Sequence, residues 1–186
     1  MESVREVEPY AQPDDRIMRV IAQEAMDACD ATAAMVSIME ADTERFLAAV
    51  GTSLRVASRR ESVCAHVILE PDALAIEDLT LDARFRDMPY VVGPPFLRFY
   101  AGAPILDAAG LPLGAVCVTN TKPHHISSKC LLAVRHLAEV ASAVLETRLH
   151  IGSVSSYHAP MTARSAIQTR MDGLLMTMVQ HRPSCG

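Results

Sequence analysis

Cys64 and His66, in the stretch SVCAHVIL, set a nucleophile type two residues from a base type. A thiolate forms at neutral pH only beside a base or a positive charge, so the pair is a candidate for thiol chemistry. Spacing tells on it: with about 3.6 residues per turn, the two positions diverge by about 200° on a helix and share a face only on a strand. The structural alternative is a buried cysteine beside a hydrogen-bonded histidine, cysteine being among the most buried residue types.

A second group lies in RFYAGAPILDAAGLPLGAVCVTN, residues 98–120. Strand alternation puts Arg98 and Tyr100 on one face and Leu97, Phe99 and Ala101 on the other. If the first face looks into a pocket, Arg98 can pair with a ligand carboxylate or phosphate while Tyr100 stacks or donates. Otherwise Arg98 pairs with Asp82 or Asp87 and fixes a loop. Cys117 shares a face with Leu113 and Ala115, opposite Gly114, Val116 and Val118. It reads as a small buried hydrophobe, with a redox pairing to Cys64 as the reactive alternative. Asp82 to Phe85, DARF, reads as a capped turn with Phe85 plugging the core. His124 and His125 are adjacent with no third ligand spaced nearby, so no metal is expected there. VVGPPF and AAGLPLG lack the glycine pattern that cradles phosphates.

These residues need elements to hold them. Asp14 or Asp15 can cap a helix whose stripe runs through Ile17, Val20, Ile21, Ala25 and Ala28 and which ends near residues 29–32. AAMVSIME and RFLAAVG are β-type runs joined by ADTE, a hairpin closed by Gly51. From 52 to 95 the pattern is irregular: a short helix in SVCAHVILE, a short strand in ALAIED, then the turn-rich DARFRDMPYVVGPP. Such an insertion between strands is often functional. FLRFYAGAPIL and LPLGAVCVT make a second hairpin, turned by Asp107 and Gly110. Ser127 or Ser128 can cap a long helix carrying Leu131, Val134, Ala138, Ala141 and Leu145, widened by Leu137, Val140 and Val144. That stripe is broad enough for the sheet and for a partner helix. After HIGSVSSYHAP, read as a breaker, Ile167, Met171, Leu174, Leu175 and Met178 recur at helical spacing, a terminal amphipathic helix weakened by Gly173. The order α-β-β-crossover-β-β-α is that of an α+β fold.

Composition narrows the function classes. The 186 residues, 50% of them hydrophobic, suffice for one domain with a sizeable core. With 17 basic against 22 acidic residues the net charge is -5, which argues against nucleic acid or an anionic membrane as partner. No charge-free run approaches the roughly 20 apolar residues of a membrane helix. The first residues, MESVREVEPYAQPDD, lack the features of a secretory signal. Cys29, Cys64, Cys117, Cys130 and Cys185 are odd in number and contain no CxxC. They suggest neither a disulfide framework nor a zinc site, and a reducing cytoplasm is the expected location.

SVCAHVIL, then AIEDLTLDARFRDMPYVVGPPFLRFYAGAPI, then GLPLGAVCVTNTKPH together resemble a GAF domain, of the subfamily commonly fused to bacterial sensor histidine kinases and diguanylate cyclases. The resemblance covers residues 14–150, with 1–13 as a flexible lead and 151–186 as linker and terminal helix. Asn120 and Val63 depart from it, where relatives commonly carry Asp and Phe. The family implies a central antiparallel sheet, terminal helices on one face, and a crossover on the other that closes a small-molecule pocket. Cys64, His66, Phe85, Arg98, Tyr100 and Cys117 are its candidate pocket residues.

The family binds cyclic nucleotides, tetrapyrroles, amino-acid-like ligands or nothing known, so the resemblance leaves the cofactor open. It implies a non-enzymatic sensory module of bacterial signal transduction, a homodimer through the 128–150 helix, and a separate kinase or cyclase partner, since no GGDEF, kinase or helix-turn-helix output module is recognisable. The alternative is a thiol-dependent enzyme related to the free methionine-(R)-sulfoxide reductases, although their GHIACD-type stretch is missing. A covalent bilin is not expected, because Cys64 precedes the position of the bilin cysteine in phytochrome-type relatives.

Overall fold

A computed structural model describes residues 15–156, with side chains through Leu149. The expected lead at 1–13 and the expected helix around Ile167 to Met178 lie outside the described residues.

The chain opens with α1 (Arg16–Ala28), capped where the Asp15 carboxylate accepts from the Met18 N–H at 3.2 Å. Its buried stripe is Met18, Ile21, Ala22 and Ala25, whereas Ile17 and Val20 are 51% and 60% exposed. The expected stripe is therefore corrected. Apolar residues sit at two helical offsets, and the sheet takes the one where Ala22 and Ala25 let the backbone lie close.

Strands β1 (Ala33–Met39) and β2 (Thr43–Val50) form the first hairpin, and β5 (Phe99–Leu106) and β6 (Pro112–Asn120) the second. Between them come β3 (Val56–Ser58), α2 (Cys64–Val67), β4 (Leu74–Ile76) and α3 (Pro89–Val92), with 3-10 turns at Arg59–Glu61 and Leu79–Leu81. The strands make one antiparallel sheet in the order β3-β2-β1-β6-β5-β4, so each edge strand is three residues long. The chain returns through α4 (Ser128–Ser156). Residues 150–156, read as part of a breaker, continue its helical backbone.

Two cores sandwich the sheet. On the helix side Met18, Ile21, Ala22 and Ala25 of α1 and Val134, Ala138, Ala141 and Leu145 of α4 cover Val36, Ile38, Phe99, Val116 and Val118. On the crossover side Val67, Leu79, Phe85 and Val91 cover Met35, Phe46, Tyr100, Ala115 and Cys117. The helices and the crossover thus lie on opposite faces, as the resemblance implies.

Two register slips reassign residues between the faces. In β2, Val36 pairs with Ala48 and Ser37 with Phe46, leaving Leu47 as a bulge. Glu44 and Phe46 consequently face the crossover while Ala48 faces the helices. In β6, Ile105 pairs with Gly114 and Leu106 with Pro112, which leaves Leu113 unpaired. Leu113 therefore packs on the helix-side core, away from the face of Ala115 and Cys117 where simple alternation places it. An extra residue in one strand resets a period of two, and every side chain beyond it changes face.

The antiparallel pair α1 and α4 is tied at both ends. Cys29, just after α1, is joined by a disulfide to Cys130 in the first turn of α4. This corrects the expectation of unpaired cysteines: the partners are 101 residues apart, and only the packing of the helices brings them together. At the other end Arg148 donates to both oxygens of Asp15, at 2.6 and 2.9 Å.

Candidate functional site

A cavity of about 300 Å3 lies between the crossover and the sheet. Met35, Phe46 and Tyr100 supply its floor, and Val63 and Cys64 at the start of α2 with Met88 and Val91 at and in α3 supply its walls. Most of the lining is apolar. Its buried carboxylate is Glu44, which lies on the crossover face of β2 and is only 2% exposed. One carboxylate oxygen, Oε2, accepts from the Ser62 hydroxyl at 2.5 Å. The other, Oε1, is buried with no hydrogen-bond partner among the described residues. Ser62 also accepts from the Ala65 N–H at 3.3 Å, so one hydroxyl both starts α2 and holds one side of the carboxylate.

Behind this wall Tyr100 donates its hydroxyl to Cys64 Sγ at 3.1 Å, and Cys64 donates to Cys117 Sγ at 3.4 Å. Both thiols are free and buried. Gly102 makes the arrangement possible, because a Cβ there would lie 2.5 Å from the Tyr100 hydroxyl and 3.1 Å from Cys117 Cβ. The hydrogen bond to Cys117, with burial second and the Cys117 and Glu44 charges behind it, pushes the Cys64 thiol well above its ordinary pKa. Burial first, then the neighbouring thiols, raises the Tyr100 phenol likewise. Both groups stay protonated at neutral pH. A hydrogen-bonded, protonated Cys64 is the opposite of an activated nucleophile.

Of the six sequence candidates, Cys64 and Tyr100 line the cavity, and Cys117 lies behind Cys64. His66 turns away from Cys64 on α2: its Nδ1 lies 3.3 Å from the Ser62 carbonyl and its ring meets the Phe85 ring edge-on at 4.9 Å. Phe85 is wholly buried under the Asp82 turn, outside the cavity lining. Arg98 donates at 2.9 Å to the carbonyls of Val91 and Leu97, which pins α3 over the cavity. It pairs with neither Asp82 nor Asp87: Asp82 takes Arg84 at 2.7 Å and Asp87 lies against Arg86. Leu97 precedes β5, so alternation does not reach it, and it packs on the crossover side. Among the described residues no cluster could hold a metal, and His125 pairs with Glu77 at 2.7 Å.

Sequence reasoning missed Glu44 and Ser62. The signal for Glu44 was its place two residues before Phe46 on a strand: a face that buries the phenyl ring also buries the carboxylate.

The GAF domain family model matches residues 15–145. A cyclic di-GMP phosphodiesterase of Pseudomonas aeruginosa is 37% identical over 134 residues, which cover 72% of this chain and 23% of that protein. The chain thus spans under a quarter of the relative's length. Among solved structures, the GAF domain of a phosphoenolpyruvate-protein phosphotransferase from Coxiella burnetii superposes with a TM-score of 0.62 at 17% identity, covering 78% of this chain and 90% of that one. Free methionine-R-sulfoxide reductase from Neisseria meningitidis gives 0.59 at 12% identity, covering 75% and 83%. Two packed cores about one six-stranded antiparallel sheet, together with the match across residues 15–145, establish that this chain belongs to the GAF domain family.

Proposed function

We propose that the chain is a sensory or regulatory module of bacterial signal transduction that binds a small molecule and is not itself an enzyme. The observation that carries this reading is the largely apolar cavity under the crossover, with a buried carboxylate in its lining, one oxygen of which has no hydrogen-bond partner among the described residues. A cavity of this size sits at the lower end of the range for small-molecule sites. A separate kinase or cyclase would receive the signal, and the relative's designation as a cyclic di-GMP phosphodiesterase supports no more than a cyclic-dinucleotide setting for it. Among the described residues no helix is long and apolar enough to cross a membrane.

Exposed Leu132 (61%) and Val140 (37%) on α4 support a homodimer through that helix. A ligand would act by binding the two arrangements of such a dimer unequally. Native mass spectrometry of the purified chain tests the reading. A retained small molecule, lost together with a fall in melting temperature, is expected. A chain that carries nothing, and whose melting temperature ignores amines, alcohols, amino acids and cyclic nucleotides, refutes it.

The 3.4 Å Cys64–Cys117 separation favours one second reading, a sulfoxide reductase. Two thiols would become a disulfide as a sulfoxide became a thioether and water, and an external dithiol would restore them. Consumption of free methionine-(R)-sulfoxide with dithiothreitol, abolished in Cys64→Ser, is the assay. The raised Cys64 pKa and its burial weigh against this turnover.

A further inference from the structure

The cavity's polar inventory is lopsided. Among the described residues that line it there is no Lys, Arg or His, while two carboxylates are present, Glu44 at the base and Glu61 at the exposed rim. The donors nearest Glu44 are already committed. Ser62 gives its hydroxyl to Oε2, and Tyr100 gives its hydroxyl to Cys64. Oε1 remains a buried acceptor, on a residue that lines the cavity, and lacks a donor among the described residues. Buried acceptors in folded proteins are satisfied by protein, water or ligand, and a ligand that brings its own N–H fits this one. An incoming phosphate or carboxylate would instead meet two carboxylates and no cation.

We infer that the cavity binds a small primary amine, its ammonium group donating to Glu44 Oε1 and its apolar body lying against Met35, Phe46 and Val63. The inference rests on the ligand-binding reading above and names the ligand's chemical class. Apolar contact supplies affinity for any body of the right size. Glu44 supplies the choice of head group, since a hydrogen bond to an ionised partner is the stronger kind. The site selects against anions by the same means.

The test uses three probes of nearly equal shape, 2-phenylethylamine, 2-phenylethanol and phenylacetate, titrated into the full chain by calorimetry and thermal shift. The amine is expected to bind at least about tenfold tighter than the alcohol, with phenylacetate weakest, from the strength of a charged hydrogen bond. Glu44→Gln keeps an acceptor for Ser62 and is expected to weaken the amine by about 10- to 100-fold and the alcohol by less, so that the amine loses its advantage. Alcohol or acid binding as tightly as the amine to the natural chain overturns the inference and leaves the pocket reading standing. So does an amine affinity indifferent to Glu44→Gln. Failure of all three probes overturns both. The comparison of probes on the natural chain decides the matter even if the variant does not fold.

Discussion

The two faces of the sheet each bury a carboxylate, and they treat it differently. Asp15, on the helix face, caps α1 and receives both arms of the Arg148 guanidinium. Glu44, on the crossover face, has one oxygen on Ser62 and the other without a partner among the described residues. The same contrast runs through the surroundings. Two long helices, stapled by Cys29–Cys130 at one end and by Asp15–Arg148 at the other, close over alanines and β-branched residues. Opposite them, short elements leave a cavity beside two free thiols. Incomplete satisfaction confined to one side of a sheet marks where the fold gives up local stability for a site.

The contrast can be broken by substitution. Arg148→Ala strands the Asp15 carboxylate in a buried position and should cost about 3 kcal/mol in urea unfolding, with Asp15→Asn in that background recovering part of it. Gly102→Ala drives a methyl into the Tyr100 hydroxyl and the Cys117 side chain. A loss of about 1–3 kcal/mol is expected for such overpacking, together with a smaller cavity. An unchanged melting temperature would mean that Tyr100 has room to move.

A titration sharpens the picture further. Cys64 and Tyr100 both have raised pKa values, so the folded state holds protons that the unfolded chain releases. Their stabilising contribution is complete below about pH 8.5, where an unfolded thiol is still protonated, and falls as pH rises above it. Cys64→Ala should flatten that alkaline loss, and the native thiols should resist iodoacetamide at pH 8 until denaturant is added. The smallest effect has the opposite sign to the first: Glu44→Gln removes a half-paired buried charge and should leave stability unchanged or raise it by about 1 kcal/mol. A loss as large as that of Arg148→Ala would make Glu44 a structural residue.

Much of the frame was legible in the sequence because it follows from strong local periodicity and capping. The two hairpins, both long helices, the Asp15 cap and the buried plug at Phe85 all belong to this class. What escaped depends on events that no local period records. The bulges at Leu47 and Leu113 invert alternation within a strand, so the faces of Ala48 and Leu113 could not be read by counting in twos from Phe46 and Ala115. Cys29 and Cys130 meet through helix packing alone. Arg98 bonds to carbonyls, acceptors that every residue offers, so its identity said nothing of its partners. Strand β3 and the 3-10 turns are too short to carry a pattern at all.

The short edge strands bear on assembly. A sheet invites another copy to extend it wherever a run of unpaired backbone groups is long and flat. Here each margin ends in a three-residue strand, Val56–Ser58 or Leu74–Ile76, after which the chain turns out of the ladder. A neighbour attempting to add a strand would find too little template to hold. Growth in the plane of the sheet is discouraged at both margins.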